Sequence, residues 1–374
     1  MKKVLFLITT LNGGGAEKIL VDTVNSLDNN KYDLTVQTVI DEGIYINRLN
    51  KDIKYKTIIK TKNKFLRKLF SRVIIDFIPP RLIYNVFIKD NYDYEIAFLE
   101  GVSTKFIATS TNKTSKKIAW VHTDLIKYPN SYKQYGTENK EATAYKKLDT
   151  IVCVSEDVKK SFIKKYNCCS EKVKTIYNIL DDKNIIKKSR EIIDFPIDIR
   201  PCFITVGRLI YQKGYDILLR IHKRLIDEGF EHSLLILGEG DMRKNLEEFI
   251  IQNKLDKTVK LLGFDENPYK YIKRCDLFIS SSRVEGYSTV ISEALVLGVP
   301  IISTNTGGAY EPMENPRCNL VVGNNEQELY IALKEVLLKP QLLQEYKKQQ
   351  KEKIQYFKKY NLLRKLENKI FSGD

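Results

Sequence analysis

One rhythm constrains this chain more than any other feature. Short, nearly continuous apolar runs alternate with stretches of helical spacing from end to end. In the first half the runs are VLFLIT (from Val4), LTVQTV (from Leu34), YKTII (from Tyr55), YEIAFL (from Tyr94), KIAWVH (from Lys117), TIVCVS (from Thr150) and VKTIYN (from Val173). In the second half they are CFITVG (from Cys202), SLLILG (from Ser233), VKLLGF (from Val259), DLFISSS (from Asp276), VPIIST (from Val299) and NLVVG (from Asn319). Helical patterns fall between them, among them 16–27, 156–166, 215–228, 242–253 and 327–338. Strands without polar alternation are buried on both faces, and helices between them supply the cover. The expectation is an α/β protein with parallel sheets. With 374 residues the chain exceeds one ordinary core, so two such halves are expected. The break falls in LDDKNIIKKSREIIDFPIDIRP (from Leu180), which is polar, charged and carries two prolines. In doubly wound sheets, ligands sit at the carboxyl ends of the strands, so chemistry is sought there.

Composition narrows the classes. A hydrophobic content of 43% is that of a globular chain. The N-terminal apolar run of about seven residues is shorter than a signal-peptide core and is followed by Asn12 and three glycines, so it reads as a first buried strand. No run reaches the roughly 18 apolar residues of a membrane span. The six cysteines are scattered and read as free thiols in a reducing cytoplasm. The three histidines, His122, His222 and His232, lack ligand spacing, so no metal is expected. A net charge of +15 favours an anionic partner: phosphate, nucleic acid or a lipid surface.

The strand exits carry the candidate chemistry. Gly207 and Arg208 follow one strand, and Lys213 and Gly214 directly precede a helix. A guanidinium fork and an ammonium at one strand–helix junction suit a diphosphate. Gly238 and Gly240 end another strand, and Gly307, Gly308 and Glu311 follow a third. VEGYSTVISEALVLGVP (from Val284) places Glu285 in an exit loop and Glu293 about one turn into a helix that Ser288 or Thr289 can cap. Glu293 lies among apolar positions where a purely structural helix would favour alanine. A carboxylate there can accept two hydrogen bonds from vicinal hydroxyls.

The second half resembles the nucleotide-sugar-binding domain of glycosyltransferase family 4, on GRLIYQKG, LLILGEG, EGYSTVISEAL with its E-x7-E spacing, GVPIISTNTGG and Glu311. The first half is similar too, in TLNGGGAEKIL, AFLEG, AWVHTD and CVSEDVKK. The resemblance implies the GT-B fold: two Rossmann-like, doubly wound domains facing a central cleft. The implied division is residues 1–183, an acceptor-side domain, and 184–356, a nucleotide-sugar domain, with a C-terminal helix at 357–374 packing back on the first. It implies a retaining transferase moving a sugar from a UDP-sugar to a glycan or lipid-linked acceptor in bacterial surface-polysaccharide synthesis. The implied place of work is the cytoplasmic face of the membrane.

Carried over residue by residue, the resemblance gives Arg208 and Lys213 the donor diphosphate and Glu293 the ribose. Glu285 meets the donor sugar, helped by backbone N–H groups of Gly286, Tyr287 and Ser288. Gly207 and Gly238 belong to the same donor site. Gly13, Gly14 and Gly15 face the diphosphate and sugar from the other domain, and His122 reaches the sugar across the cleft. The Glu pair is not a hydrolase acid–base pair. The implied chemistry is front-side displacement, with a short-lived covalent intermediate as the alternative, and with built-in cations in place of a metal and no cofactor beyond the donor. A nicotinamide dehydrogenase would need G-x-G-x-x-G after the first strand, which NGGGAEK lacks. A nucleic-acid binder would show a recognition module, and none is visible. Another GT-B enzyme, such as a sugar-nucleotide epimerase, is the nearer alternative.

Residues 60–89 hold eight Lys or Arg residues and one acid, Asp76. Phe65, Leu66, Leu69, Phe70, Val73 and Ile74 recur at helical spacing, so one face is apolar and the other cationic. Two readings remain open: a helix packed on the sheet with a solvated basic face, or an interfacial helix on anionic lipid.

Overall fold

In the computed structural model the apolar runs become two all-parallel sheets. The structure describes all residues except 62, 309–310, 314–318, 351–358 and 372–374. The first sheet contains β1 (Lys2–Ile8), β2 (Tyr32–Ile40), β3 (Lys54–Ile59), β4 (Tyr94–Ala97), β5 (Lys116–Val121), β6 (Thr150–Cys153) and β7 (Val173–Thr175). Its order is β3-β2-β1-β4-β5-β6-β7. The second contains β8 (Cys202–Val206), β9 (Ser233–Leu237), β10 (Val259–Gly263), β11 (Leu277–Ser280), β12 (Ile301–Thr304) and β13 (Asn319–Val322), in the order β10-β9-β8-β11-β12-β13. Both orders reverse once, beside the first strand of each sheet. The reversal opens a crevice at the carboxyl ends, between β1 and β4 in one sheet and between β8 and β11 in the other.

The chain forms two compact units, Met1–Leu180 with Leu362–Asp374, and Asp181–Asn361. In the first unit, Val4 to Ile8 of β1 are fully buried between helical layers. Helix α1 (Gly15–Val24) covers the sheet with Ile19, Leu20, Val21 and Val24, a helical spacing of apolar residues. It is shorter than the expected 16–27, because the chain turns out of the helix at Asn25. The segment from Leu362 lies against this sheet. The Phe371 ring is 4.8 Å from Tyr32 and 5.0 Å from Tyr94, and its carbonyl accepts from Lys2 Nζ at 2.6 Å. Further helices of this unit are α2 (Lys64–Arg72), α3 (Pro80–Phe87) and α4 (Val102–Ile107). The helix Glu156–Tyr166 follows, its first turn capped by the Ser155 hydroxyl, which accepts from Val158 N at 3.1 Å.

In the second unit, Phe203, Leu234, Ile236, Leu277 and Ile279 meet Leu218 and Leu219 of the helix Tyr215–Asp227, and Leu329 and Leu333 of the helix Glu326–Leu338. Each such fully buried side chain contributes about 1.5–3 kcal/mol, so the sheet is a rigid floor for its exit loops. Cys153, Cys168, Cys169, Cys202 and Cys275 are free thiols; Cys318 lies outside the described residues.

Candidate active site

The β8/β11 crevice of the second unit holds a small hollow. Thr205, Lys213, Tyr215, Ser282, Glu285 and Ser288 are among its lining residues. Lys213 stands just before the helix Tyr215–Asp227, and Glu285 follows β11. Their side chains meet there: Lys213 Nζ lies 2.5 Å from Glu285 Oε1. The Ser282 hydroxyl donates to the same carboxylate oxygen at 2.7 Å. Both charged side chains are mostly buried, at 21% and 13% exposure, so the pair is little screened.

Backbone packing holds the two loops together. Gly214 has φ +67°, and a Cβ there would stand 2.1 Å from the Ser281 carbonyl oxygen. Only glycine supplies both the left-handed conformation and the space. The Ser281 hydroxyl returns a hydrogen bond to the Lys213 carbonyl at 2.9 Å. Gly207 leaves room for the Tyr215 hydroxyl and the Lys213 stem, which its Cβ would meet at 2.8 and 3.2 Å. Gly238 abuts the Gly207 carbonyl. These glycines thus fit strand exits to one another, a role that the sequence alone did not separate from close approach to a ligand.

Arg208 leaves the β8 exit into solvent, and its side chain makes no hydrogen bond or ion pair among the described residues. The helix Thr289–Val296 begins after Ser288. Ser288 does occupy the capping position, but its hydroxyl makes no capping bond and Thr289 is already helical, so the expected side-chain cap is absent. The helix start therefore keeps its unbonded N–H groups and partial positive charge. Gly286, Tyr287 and Ser288 are buried in this approach. Glu293 is 4% exposed, with the Tyr269 hydroxyl 3.4 Å from Oε1. The backbone of Glu285 bridges to Gly307, so the β11 and β12 exits are joined. Glu311 is buried nearby in sequence, in a short turn at Glu311–Met313.

Sequence reasoning missed Ser282 and Tyr215. The signal for Tyr215 was an aromatic placed directly after Lys213-Gly214, and burial raises its phenol pKa well above the usual value. It missed the Lys213–Glu285 contact as well, because these residues lie 72 positions apart.

The first unit carries its own strand-exit cluster. Gly13 turns the chain after β1 with a positive φ, Gly14 precedes α1 and Gly15 opens it, so the partly positive helix start lies at this strand exit, with Glu17 in its first turn. His122 follows β5. Its ring lies 5.0 Å from Phe98 and stacks 6.4 Å from Trp120. Burial pushes its pKa down to about 3, only partly offset by hydrogen bonding to the Phe98 backbone, so the imidazole is neutral. Its buried Nε2 has no hydrogen-bond partner among the described residues. Glu100, not singled out from sequence, accepts from the His122 backbone N–H at 3.1 Å, and burial raises its pKa. Asp124 of the same motif is structural: it accepts from Ile126 N, Lys127 N and the Ser161 hydroxyl. Among the described residues no group of three or more His, Cys, Asp or Glu side chains could hold a metal ion. None of their helices is long and apolar enough to cross a membrane.

Two family models tile the chain. Glycosyltransferase Family 4 matches residues 13–184 and Glycosyl transferases group 1 matches 189–353. The chain is 28% identical over 372 residues to N-acetylgalactosamine-N,N'-diacetylbacillosaminyl-diphospho-undecaprenol 4-alpha-N-acetylgalactosaminyltransferase of Campylobacter jejuni, covering 97% of this chain and 98% of that one. An uncharacterized glycosyltransferase of Methanocaldococcus jannaschii is 29% identical over 65% of this chain and 60% of its own length. Among solved structures, Anabaena HepE in complex with UDP and glucose superposes with a TM-score of 0.79 at 20% identity, covering 100% of both chains. WaaG, a glycosyltransferase involved in lipopolysaccharide biosynthesis, does so with 0.71 at 14%, covering 99% of this chain and 100% of that one. Two parallel sheets flanked by helices and these matches define a glycosyltransferase of the GT-B fold. Within that class, the chain is related to the group 1 and family 4 transferases.

Proposed function

We propose that the protein transfers a sugar, with retention of configuration, from a UDP-sugar to a lipid-linked or glycan acceptor. The carrying observation is the Lys213–Glu285 pair at the β8/β11 crevice, beside an uncapped helix start and the exposed Arg208. Arg208 and Lys213 hold the donor diphosphate, Glu293 the ribose hydroxyls, and Glu285 with the Gly286–Ser288 backbone the sugar. When the diphosphate arrives, Lys213 exchanges part of its contact with Glu285 for phosphate oxygens. The carboxylate is then free to accept from sugar hydroxyls. The bond from the anomeric carbon to phosphate breaks and its electron pair leaves with UDP. The acceptor oxygen bonds to the same face, and its proton goes to the departing phosphate. Protein groups act by positioning and charge stabilisation, strongest as negative charge builds on the leaving group.

The donor reading is supported by the UDP and glucose in the HepE complex. The acceptor reading is supported by the diphospho-undecaprenol in the Campylobacter relative's name. The domain division at 183/184 and 356/357 belongs to the same proposal, with Gly13–Gly15 and His122 on the acceptor side and donor favouring a closed form. Work at an anionic, cytoplasmic membrane face is supported by the 60–89 segment. Its apolar residues between Phe65 and Ile78 are not buried in the core, with Phe65 75% exposed and Phe77 71%, beside the exposed Lys68, Arg72 and Arg81, whereas Ile83, Tyr84 and Ile88 further along are buried. Lys62 lies outside the described residues. The test is a panel of nucleotide sugars read by thermal shift, then turnover on polyprenyl-diphosphate acceptors. A UDP-sugar that stabilises the protein and is turned over only with a lipid-linked saccharide supports the reading. Interconversion of UDP-sugars without an acceptor would favour an epimerase instead.

A further inference from the structure

The exposed apolar segment is fastened to the first unit in an unusual way. Helix α2 runs directly into a wider π-type turn, Val73–Phe77. From Phe65 to Ile78 no residue is buried. An amphipathic helix normally lays its apolar face on a core; this one turns it to solvent and lies beside β2 and β3 at the sheet edge. Two polar tethers hold it. Arg67 Nη2 pairs with Glu42 Oε1 at 2.8 Å, and both side chains are partly buried. Lys105 Nζ donates to the Ile75 carbonyl at 2.8 Å.

Both tethers end beside the candidate active site of this unit. The Glu42 carbonyl accepts from Leu11 N at 2.8 Å, and Tyr45 N donates to the Leu11 carbonyl at 3.2 Å. Gly43 lies so close to Leu11 that a Cβ would stand 1.9 Å from its carbonyl oxygen. The Glu42–Tyr45 loop therefore clamps Leu11, two residues before the Gly13–Gly15 turn. Lys105 sits on α4, which begins directly after Glu100 and Gly101 at the β4 exit. β1 and β4 are neighbours across the reversal of strand order. One tether thus reaches each bank of the β1/β4 crevice.

We propose that residues 63–78 are a lipid-engaged control element, whose docking on an anionic surface is transmitted through Arg67–Glu42 and Lys105–Ile75 to the two loops bordering the β1/β4 crevice and raises the rate of sugar transfer. The proposal rests on the reading of this face as the membrane-docking face. The commitment to anionic lipid follows from charge: exposed Lys68, Arg72 and Arg81 flank the apolar residues, against the exposed acid Asp76. Coupling here is a difference in lipid affinity between two arrangements of the crevice loops, and it needs no new contact to substrate.

The test uses the whole chain and the UDP-sugar that gives the largest thermal shift. Its hydrolysis is followed without vesicles, with phosphatidylcholine vesicles, and with vesicles containing phosphatidylglycerol; vesicle binding is measured in parallel by co-sedimentation. Wild-type protein is expected to bind the anionic vesicles and to hydrolyse donor about five-fold faster or more, with no response to phosphatidylcholine. Glu42→Gln is expected to bind the same vesicles but to lose the acceleration, and Lys105→Met to lose part of it. Circular dichroism and unaltered vesicle-free hydrolysis check that the variants fold. Wild-type binding without acceleration overturns the coupling and leaves the docking face standing. Absence of binding overturns both. Full acceleration in the double variant Glu42→Gln, Lys105→Met shows that the tethers transmit nothing and sinks the proposal.

Discussion

Replacing Lys213 by alanine removes one charge from a contact that the fold has gone to some length to build. The pair is 2.5 Å apart, with side chains 21% and 13% exposed. At an effective dielectric of about 20, the gross attraction over that distance is about 7 kcal/mol. Most of this is offset by desolvation. Removing one member of a fully buried pair costs about 3–5 kcal/mol, because the other is left uncompensated. Glu285 keeps the Ser282 hydroxyl at 2.7 Å and some access to water, so the expected stability loss is smaller, about 2 kcal/mol. The catalytic loss is larger. A preorganised cation facing developing charge contributes about 3–4 kcal/mol, or about 10²–10³ in kcat. Glu285→Gln provides the contrast: it keeps the Ser282 donor and frees Lys213, so the diphosphate should still bind while sugar positioning suffers. The assay is steady-state turnover of the UDP-sugar with urea unfolding on the same preparations. A Lys213→Ala enzyme whose kcat stays within about two-fold of wild type would remove this residue from charge stabilisation.

Gly214→Ala must place a Cβ 2.1 Å from the Ser281 carbonyl at φ +67°, so it should destabilise the second unit by more than about 1 kcal/mol and lower donor affinity; unchanged unfolding and donor binding would contradict the loop-fitting role. His222 and His232 are buried with rings 4.4 Å apart, and burial holds the pKa of both down, His222 to about 3. The folded state keeps them neutral while the unfolded chain takes up protons below about pH 6.5, so their stabilisation is complete above that pH and is lost on acidification. Between pH 7 and 5 the second unit should lose about 2 kcal/mol through His222 alone, and flat urea stability over this range would refute it. Because the cations are built in, EDTA should leave most transferase activity. Loss that Mg²⁺ or Mn²⁺ restores would overturn that part of the account.

The sheets were legible because a doubly covered strand must be apolar on both faces, which leaves an unbroken run such as FITV or LLIL. Helix starts were less so: Ser288 stands where a cap belongs, yet its hydroxyl makes no capping bond. Glu285 and Lys213 could each be picked out as polar groups at strand exits. Their pairing depended on β8 lying next to β11, which no local pattern encodes. Residues 65–78 show the sharper limit. Spacing defines an apolar face, but it cannot say whether that face meets a core or solvent. In the structure the face meets solvent, and the segment contacts the rest of its unit through Arg67 to Glu42 and Lys105 to the Ile75 carbonyl, partners distant in sequence. His122 was visible as a motif residue. Its neutral state follows from burial against Phe98 and Trp120, known only once the strands are side by side.

The most direct measurement is the anomeric configuration of the product, followed by NMR during turnover of the UDP-sugar that binds most tightly, with wild-type and Lys213→Ala protein side by side. The account predicts a product that keeps the donor's configuration, formed by the wild type and reduced by about 10²–10³ in the variant. An inverted product, or wild-type rates from the variant, would contradict it.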